Sequence, residues 1–577
     1  MQRLRDSLVA MLVLMVACAL PVTASAQSID YGGDMLGDAE VSSGQFSDGE
    51  SGSGQEAMPS APKKGGGKHL EITPYIEAAQ LFTKELSPGD DVLTYTRIAA
   101  GVDASITGLR NAASVSLRYE RHIGWNRKSR DGDAVSGIVR GYTTVTPGLR
   151  IEAGGLATRA RVEGDGAAVL GPYGEGDSVT QLYSVYAGPS LATHLGVVAV
   201  DANYRFGYTK VESPDAVVVT PGAPAVDVFD ESTAHSASVH AGVKPHELLP
   251  VGLAAGAGYY REDISNLDQR VEDFSARGDV TVPLSPSLAL VGGVGYEDVR
   301  ISSRDALLDG SGNPVIGSDG RYVTDKSAPR VIAYDTSGLI WDAGVLWRPS
   351  RRTTLEAHVA RRYGSTSYYG SFAYTPNSRS AINVAVYDNV SGFGGQVNRA
   401  LADLPTDFEA VRNPLTGDLG GCVSSLDKGT CLSGVLGSVR SSTFRARGIM
   451  ASYVLTLGRL NTGIGAGYDR RKFIAAPGTL LAFANGLVDE NYWLSAYLGG
   501  KLDERSAFTT NAYANWFRSA AGFGGDATAL GASASYSRDL TSHLIATAAL
   551  GMDGVNREAP LEDFWSLSAL VGVRYSF

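Results

Sequence analysis

Two short stretches of the 577-residue chain gather ionisable groups an even number of positions apart: Arg118, Glu120 and His122, and Glu356, His358 and Arg362. A carboxylate beside an imidazole can orient it as a general base, so each triplet is a candidate for hydrolytic chemistry. Even spacing puts side chains on one face only where the backbone is extended. No serine lies in a G-x-S-x-G turn, and the eight histidines are scattered, so no nucleophile accompanies the bases. Charges of both signs along one strand face are also what a water-filled barrel interior carries, where they pair and set ion preference. Arg205, Arg348 and Arg574 fall in the same phase of other alternating stretches. The candidate lumen-lining charges are therefore Arg118, Glu120, Arg205, Arg348, Glu356, His358, Arg362 and Arg574. No catalytic, cofactor-binding or metal-ligating set is assigned.

Other motifs carry less chemistry. Cys422 and Cys431 are the only cysteines after Cys18 and close a short ring in a long connection, so a loop disulfide is expected in an oxidising compartment. Lys63 to Lys68 superficially imitates a phosphate-binding loop but lacks its spacing and a preceding strand. Gly463, Gly465 and Gly467 lie inside an alternating stretch with no helix to follow, which excludes a dinucleotide site. The turn signals at 309–314 and 318–320 predict a hairpin projecting from a connection. Arg361 falls on the opposite phase from Glu356 and His358, where it could meet lipopolysaccharide phosphates or cap an aromatic girdle.

The elements that must position these residues are strands. Residues 565–577 alternate Trp565, Leu567, Ala569, Val571, Val573, Tyr575 and Phe577 with Ser566, Ser568, Leu570, Gly572, Arg574 and Ser576. A period of two means one apolar face. The pattern recurs from Leu70 onward, as in Val198, Val200, Ala202, Tyr204, Phe206 and Tyr208, or Leu339, Trp341, Ala343, Val345 and Trp347. The expected fold is all-β, a transmembrane antiparallel β-barrel of roughly 22 strands, between about 18 and 26. Connections alternate short (146–148, 285–286, 349–352, 376–379, 458–459, 539–541) with long (163–177, 212–231, 302–331, 389–441, 472–488), so short periplasmic turns and long extracellular loops are expected.

Composition agrees. Fifty basic against 61 acidic residues give a net charge of −11, which argues against a nucleic-acid partner. Seventy glycines in 577 residues, about 12% against a usual ~7%, are spread through the strands. Tyr (27) outnumbers Phe (16), as interfacial girdles require. Past the amino terminus no apolar run approaches the ~20 residues of a spanning helix. Residues 1–26 read as a cleaved signal peptide, with Arg3 and Arg5, an apolar core at 8–20 and small residues Ala24 and Ala26 at the cut. Residues 27–68 read as a disordered Gly/Ser/acidic periplasmic tail, and 69–577 as the barrel.

The terminal strand resembles the closing strand of bacterial outer-membrane barrels. That resemblance implies that Val573, Tyr575 and Phe577 are read by the barrel-assembly machinery. Residues 347–356, 362–364 and 368–370 resemble a turn and hairpin of the exopolysaccharide-associated β-barrel porin group. Residues 73–80 and 86–91 resemble the opening of sphingomonad barrels, whose members sometimes carry a preprotein translocase label that these residues do not support. Together they imply the outer membrane of a Gram-negative bacterium, with lipid and lipopolysaccharide as surroundings. The expected role is a passive pore or export conduit for small solutes or polysaccharide, with the 389–441 connection constricting or gating a charged lumen. A non-conducting structural or adhesive barrel and an embedded enzyme stand as alternatives.

Overall fold

The computed structural model describes residues 69–125, 131–162, 168–169, 179–212, 231–404, 406, 408–417, 419–424, 430–431, 435–436, 439–519, 526–558 and 562–577. Twenty-two long strands form one antiparallel cylinder. They are β1 (His69–Ser87), β2 (Val92–Thr107), β3 (Asn111–Gly124), β4 (Gly132–Thr146), β5 (Leu149–Val162), β6 (Val179–Leu195), β7 (Val198–Glu212) and β8 (Glu231–Val243). Then follow β9 (Gly252–Ile264), β10 (Gln269–Ser285), β11 (Leu288–Ser303), β12 (Val331–Ser350), β13 (Thr353–Arg362), β14 (Ser365–Asn377) and β15 (Ser380–Ser391). The last are β16 (Phe444–Leu457), β17 (Leu460–Phe473), β18 (Val488–Lys501), β19 (Ser506–Ser519), β20 (Ala527–Asp539), β21 (Leu544–Arg557) and β22 (Phe564–Ser576). A two-residue strand, Ala168–Val169, adds to the end of β5. Each long strand pairs with the next, and β1 pairs with β22 from Tyr75↔Ser576 to Ser87↔Trp565. No strand edge is left open, which is the condition for a sheet to cross lipid.

Side chains alternate about the wall. Along β3, Ser114, Ser116, Arg118, Glu120 and His122 are buried, while Leu117, Tyr119 and Ile123 are exposed. The exterior is the apolar side: Val294, Leu339, Leu550 and Val571 are each more than 60% exposed. A contiguous apolar belt of this kind is not tolerated in water, so the molecule is a transmembrane barrel. The expected one-face-apolar strands are present, and the face that alternation predicted to be polar looks inward.

The short connections are tight turns of defined chemistry. Pro147 and Gly148 (φ +86°) join β4 to β5, proline and a positive-φ glycine being the two central residues of a type II turn. The opposite end carries the long connections, with exceptions. Residues 88–91 and 265–268 are short, and β13 turns into β14 through Tyr363 and Gly364 alone, both at positive φ. Strict alternation of short and long connections is therefore broken at these three places, and again at the other end, where residues 244–251 make an eight-residue connection. Bridges Leu308↔Pro314 and Ile316↔Tyr322 make the 304–330 connection a pair of small hairpins.

Candidate functional site: a lumen crossed by an inward-folded segment

The inner wall is a lattice of paired charges. On β1 to β5, Glu77 accepts Arg97 Nη2 at 2.8 Å and Arg118 Nη1 at 2.8 Å. Glu120 takes Arg118 Nε at 3.0 Å and Arg159 Nη2 at 2.7 Å, with His122 Nε2 at 3.2 Å. On β10 to β14, Asp342 receives Arg277 and lies 2.8 Å from His358 Nδ1, while Glu356 lies 3.1 Å from His358 Nε2. The His358 ring stacks on Tyr369 at 4.7 Å. Arg362 reaches Asp273 (3.2 Å) and Glu297 (3.4 Å). Buried charges persist only when paired in this way.

The described residues of the 392–443 connection, between β15 and β16, fold into this lumen instead of projecting outward. They open with helix α1 (Phe393–Ala402), whose Phe393, Val397 and Leu401 recur every four residues and are buried. That stripe packs on inward Ile138, Leu156, Leu182 and Val211, so packing rather than propensity makes the helix, since Gly394 and Gly395 are poor formers. Both glycines are needed: a β-carbon on either would collide with Ser232 or Tyr260. At the helix start, Gly392 N and Gly395 N donate to the fully buried Glu262 at 2.6 and 2.9 Å. A carboxylate there satisfies orphan N–H groups and matches the helix dipole. Asn398 Nδ2 donates to Thr209 Oγ1 at 2.9 Å.

From α1 the segment runs along the adjacent wall to β3 and β4 and on to the β1–β22 seam. Arg412 donates to Ser116 Oγ (2.9 Å) and Ser136 Oγ (2.7 Å). Asn413 closes a turn by accepting Leu415 N at 2.9 Å, and Gly417 sits at φ +75°. Leu415 is wholly buried among Ala79, Leu81, Tyr95, Ala549 and Leu570, at the seam of β1 and β22. Arg97 and Arg159 of the charge lattice donate to the carbonyls of Leu415 (2.5 Å) and Thr416 (3.1 Å). The return leg meets the remaining side: Arg471 Nη2 donates to Val435 O (3.1 Å), Arg440 pairs with Asp489 (2.8 Å), and Gln269 Nε2 donates to Ser441 O (2.7 Å). A segment that touches β3 to β9, β17, β18 and the β1–β22 seam of one ring must span its bore.

The expected site residues fall as follows. Arg118, Glu120, Glu356, His358 and Arg362 are inward and engaged as above. Arg205 and Arg362, with Asn203, Asp273, Asn398 and Arg399, line a cavity of about 70 Å³ between α1 and the wall. Arg348 is half-buried on the inner phase of β12. Arg574 Nη2 donates to Asp103 Oδ2 at 2.9 Å and lies 3.5 Å over the Tyr75 ring. Val573, Tyr575 and Phe577 are exposed on the outer face. The backbone register sets Cys422 directly opposite Cys431 in a small sheet formed by Glu409–Arg412, Leu419–Ser424 and Thr430–Cys431; their side chains lie outside the described residues. Ala24 and Ala26 also lie outside them. Sequence reasoning missed Glu77, Arg97, Arg159, Glu262 and Arg277. Glu77 carried a signal, since it shares the inward phase of Tyr75 and Ala79. Among the described residues no three metal-ligating side chains converge.

No family model and no curated relative matches the chain. Among solved structures, it is similar to the FrpB iron transporter of Neisseria meningitidis, at 11% identity and TM-score 0.42, over 88% of this chain and 82% of that one. It is similar to the ferric-catecholate import receptor Fiu of E. coli K12, at 10% identity and TM-score 0.40, over 87% and 81%. The siderophore receptor PirA of Acinetobacter baumannii gives 10% identity and TM-score 0.38, over 87% and 80%. Likeness this distant assigns neither cargo nor partner to this chain.

Proposed function

We propose that this chain is an outer-membrane transport barrel, closed at rest by its own residues 392–443, which passes small polar solutes when that segment withdraws. The observation that carries the reading is the crossing itself. A cylinder of 22 strands would otherwise enclose a wide aqueous channel, and barrels of this size commonly work with a filled lumen. The segment is held by an apolar stripe on α1 and by Leu415 at the seam, and between them by hydrogen bonds and ion pairs to polar wall residues, contacts that water can replace. Paired wall charges would set the preference among solutes. A polysaccharide conduit asks for a continuous bore, which the crossing does not favour. Catalysis at His358 is not favoured either, because both ring nitrogens already face carboxylates.

A second reading, a structural or adhesive barrel without conductance, draws on the same filled lumen. It also draws on the packed mouth, where Leu267, Ala306, Ala475, Leu481 and Ala484 join three connections into one apolar cluster. Planar-bilayer recording separates the two. Wild-type protein is expected to conduct rarely, and a variant with residues 405–440 replaced by a short Gly/Ser linker steadily. A folded linker variant that never conducts removes transport and leaves the structural reading.

A further inference from the structure

Charge on the outer rim is unevenly distributed, and transport makes no use of it. On the outward faces of β13, β16, β17 and β19 stand Arg361, Arg445, Arg447, Arg470, Lys472 and Arg518, with two carboxylates, Asp388 and Glu490, among them. Register fixes their orientation. Arg447↔Arg470, Arg470↔Glu490 and Glu490↔Arg518 form one cross-strand row, and the flanking Asp469, Arg471, Asp489 and Phe517 are buried inward. Arg445↔Lys472 forms the row above. Arg361 joins at the side through Thr366, its cross-strand partner, whose carbonyl accepts Arg447 Nη2 at 2.9 Å.

The row beneath is apolar and aromatic: Ile449↔Tyr468, Tyr468↔Tyr492, Tyr492↔Trp516. The Tyr468 and Tyr492 rings are 4.7 Å apart, and Arg518 lies 5.8 Å over Tyr492. Two residues of strand separate the rows, about 7 Å, so the cations stand just above the hydrocarbon boundary that such girdles mark. Asp388 neutralises part of Arg445 and Arg447 (2.7 and 3.0 Å), and Glu490 reaches Arg470 only at 3.8 Å. Six cations less two carboxylates leave an excess of four positive charges. Elsewhere on the rim, five cations come with their own acids: Arg121 with Asp131 and Asp133, Lys210 with Glu212, Arg261 and Arg270 with Asp263, Arg300 with Asp335. Arg447 and Arg470 keep 39% and 38% of their side chains exposed.

We infer that this face binds the phosphate groups of an outer-leaflet glycolipid, lipopolysaccharide, whose acyl chains lie along the aromatic row. A cationic row directly over an apolar one matches an amphiphile; a soluble anion has no use for the lower half. Guanidinium forks suit phosphate oxygens. The inference needs only a barrel standing in a membrane with its long connections outward, and it survives if the pore reading fails. The test titrates purified full-length protein with lipopolysaccharide. Replacing Arg447, Arg470 and Arg518 together by Ala is expected to weaken binding roughly 100-fold, at about fivefold per cation. An Arg121→Ala, Arg261→Ala, Arg300→Ala variant should bind like wild type, and unheated gel migration should report both as folded. Equal loss in the two variants, equal affinity for dephosphorylated glycolipid, or displacement by millimolar inorganic phosphate would each overturn it.

Discussion

Gly417 marks the far end of the lumenal crossing and shows how little slack that end has. It holds φ +75°, and a β-carbon there would meet Arg118 Nε at 2.6 Å and Glu120 at 2.9 Å. Gly417→Ala therefore strains the backbone by about 1–2 kcal/mol and pushes against a buried ion pair. The expected result is a tip that detaches, read in bilayers as more frequent opening than wild type; an unchanged open fraction would show that the tip does not hold the segment. Glu262 plays the matching part at the near end. Glu262→Ala leaves two buried N–H groups without an acceptor, at about 1–3 kcal/mol each. Limited proteolysis of the folded barrel should then cut near residues 392–404, where wild type resists.

At the scale of elements, the 304–330 hairpins carry a pH dependence. Asp309 accepts the backbone N–H of Asn313 at 2.9 Å and of Ser311 at 2.8 Å. These donors, Asn313 first, hold its carboxyl below the usual carboxylate range. With the folded value depressed, the tether is complete above the ordinary carboxylate value near 3.9 and is lost as pH falls through the lower folded one. Hydrogen-exchange protection at Ser311 and Asn313, corrected for intrinsic rates, should hold through the ordinary carboxylate value and drop only at lower pH; a drop centred at or above the ordinary value would count against the tether. The strands were legible in the sequence because each needs only its own period of two, as Glu356, His358 and Arg361 illustrate by landing on their expected faces. The crossing was legible only as a long connection expected to constrict the lumen. Its helix is ten residues with two glycines, and the sole local hint was Phe393, Val397 and Leu401 at fourfold spacing. The lattice partners could not be paired by eye, since Glu77 and Arg118 lie 41 residues apart and meet only once the register between strands is set.

For the whole molecule, the belt and the closed sheet together predict resistance to unfolding in mild detergent. Unboiled protein should migrate differently from boiled protein on a gel, and identical mobility would argue against the cylinder. Closure has a further consequence for manufacture. The bond from Phe577 N to Pro74 O, at 3.0 Å, joins two points about five hundred residues apart, and the Arg574 side chain crosses the same junction. Until the final strand is made, any partly built sheet has two raw margins with unsatisfied N–H and C=O groups, which invite pairing with the wrong chain. Synthesis must therefore run through β22 before the ring can be sealed, so whatever escorts the nascent polypeptide has to shield both margins from β1 until then.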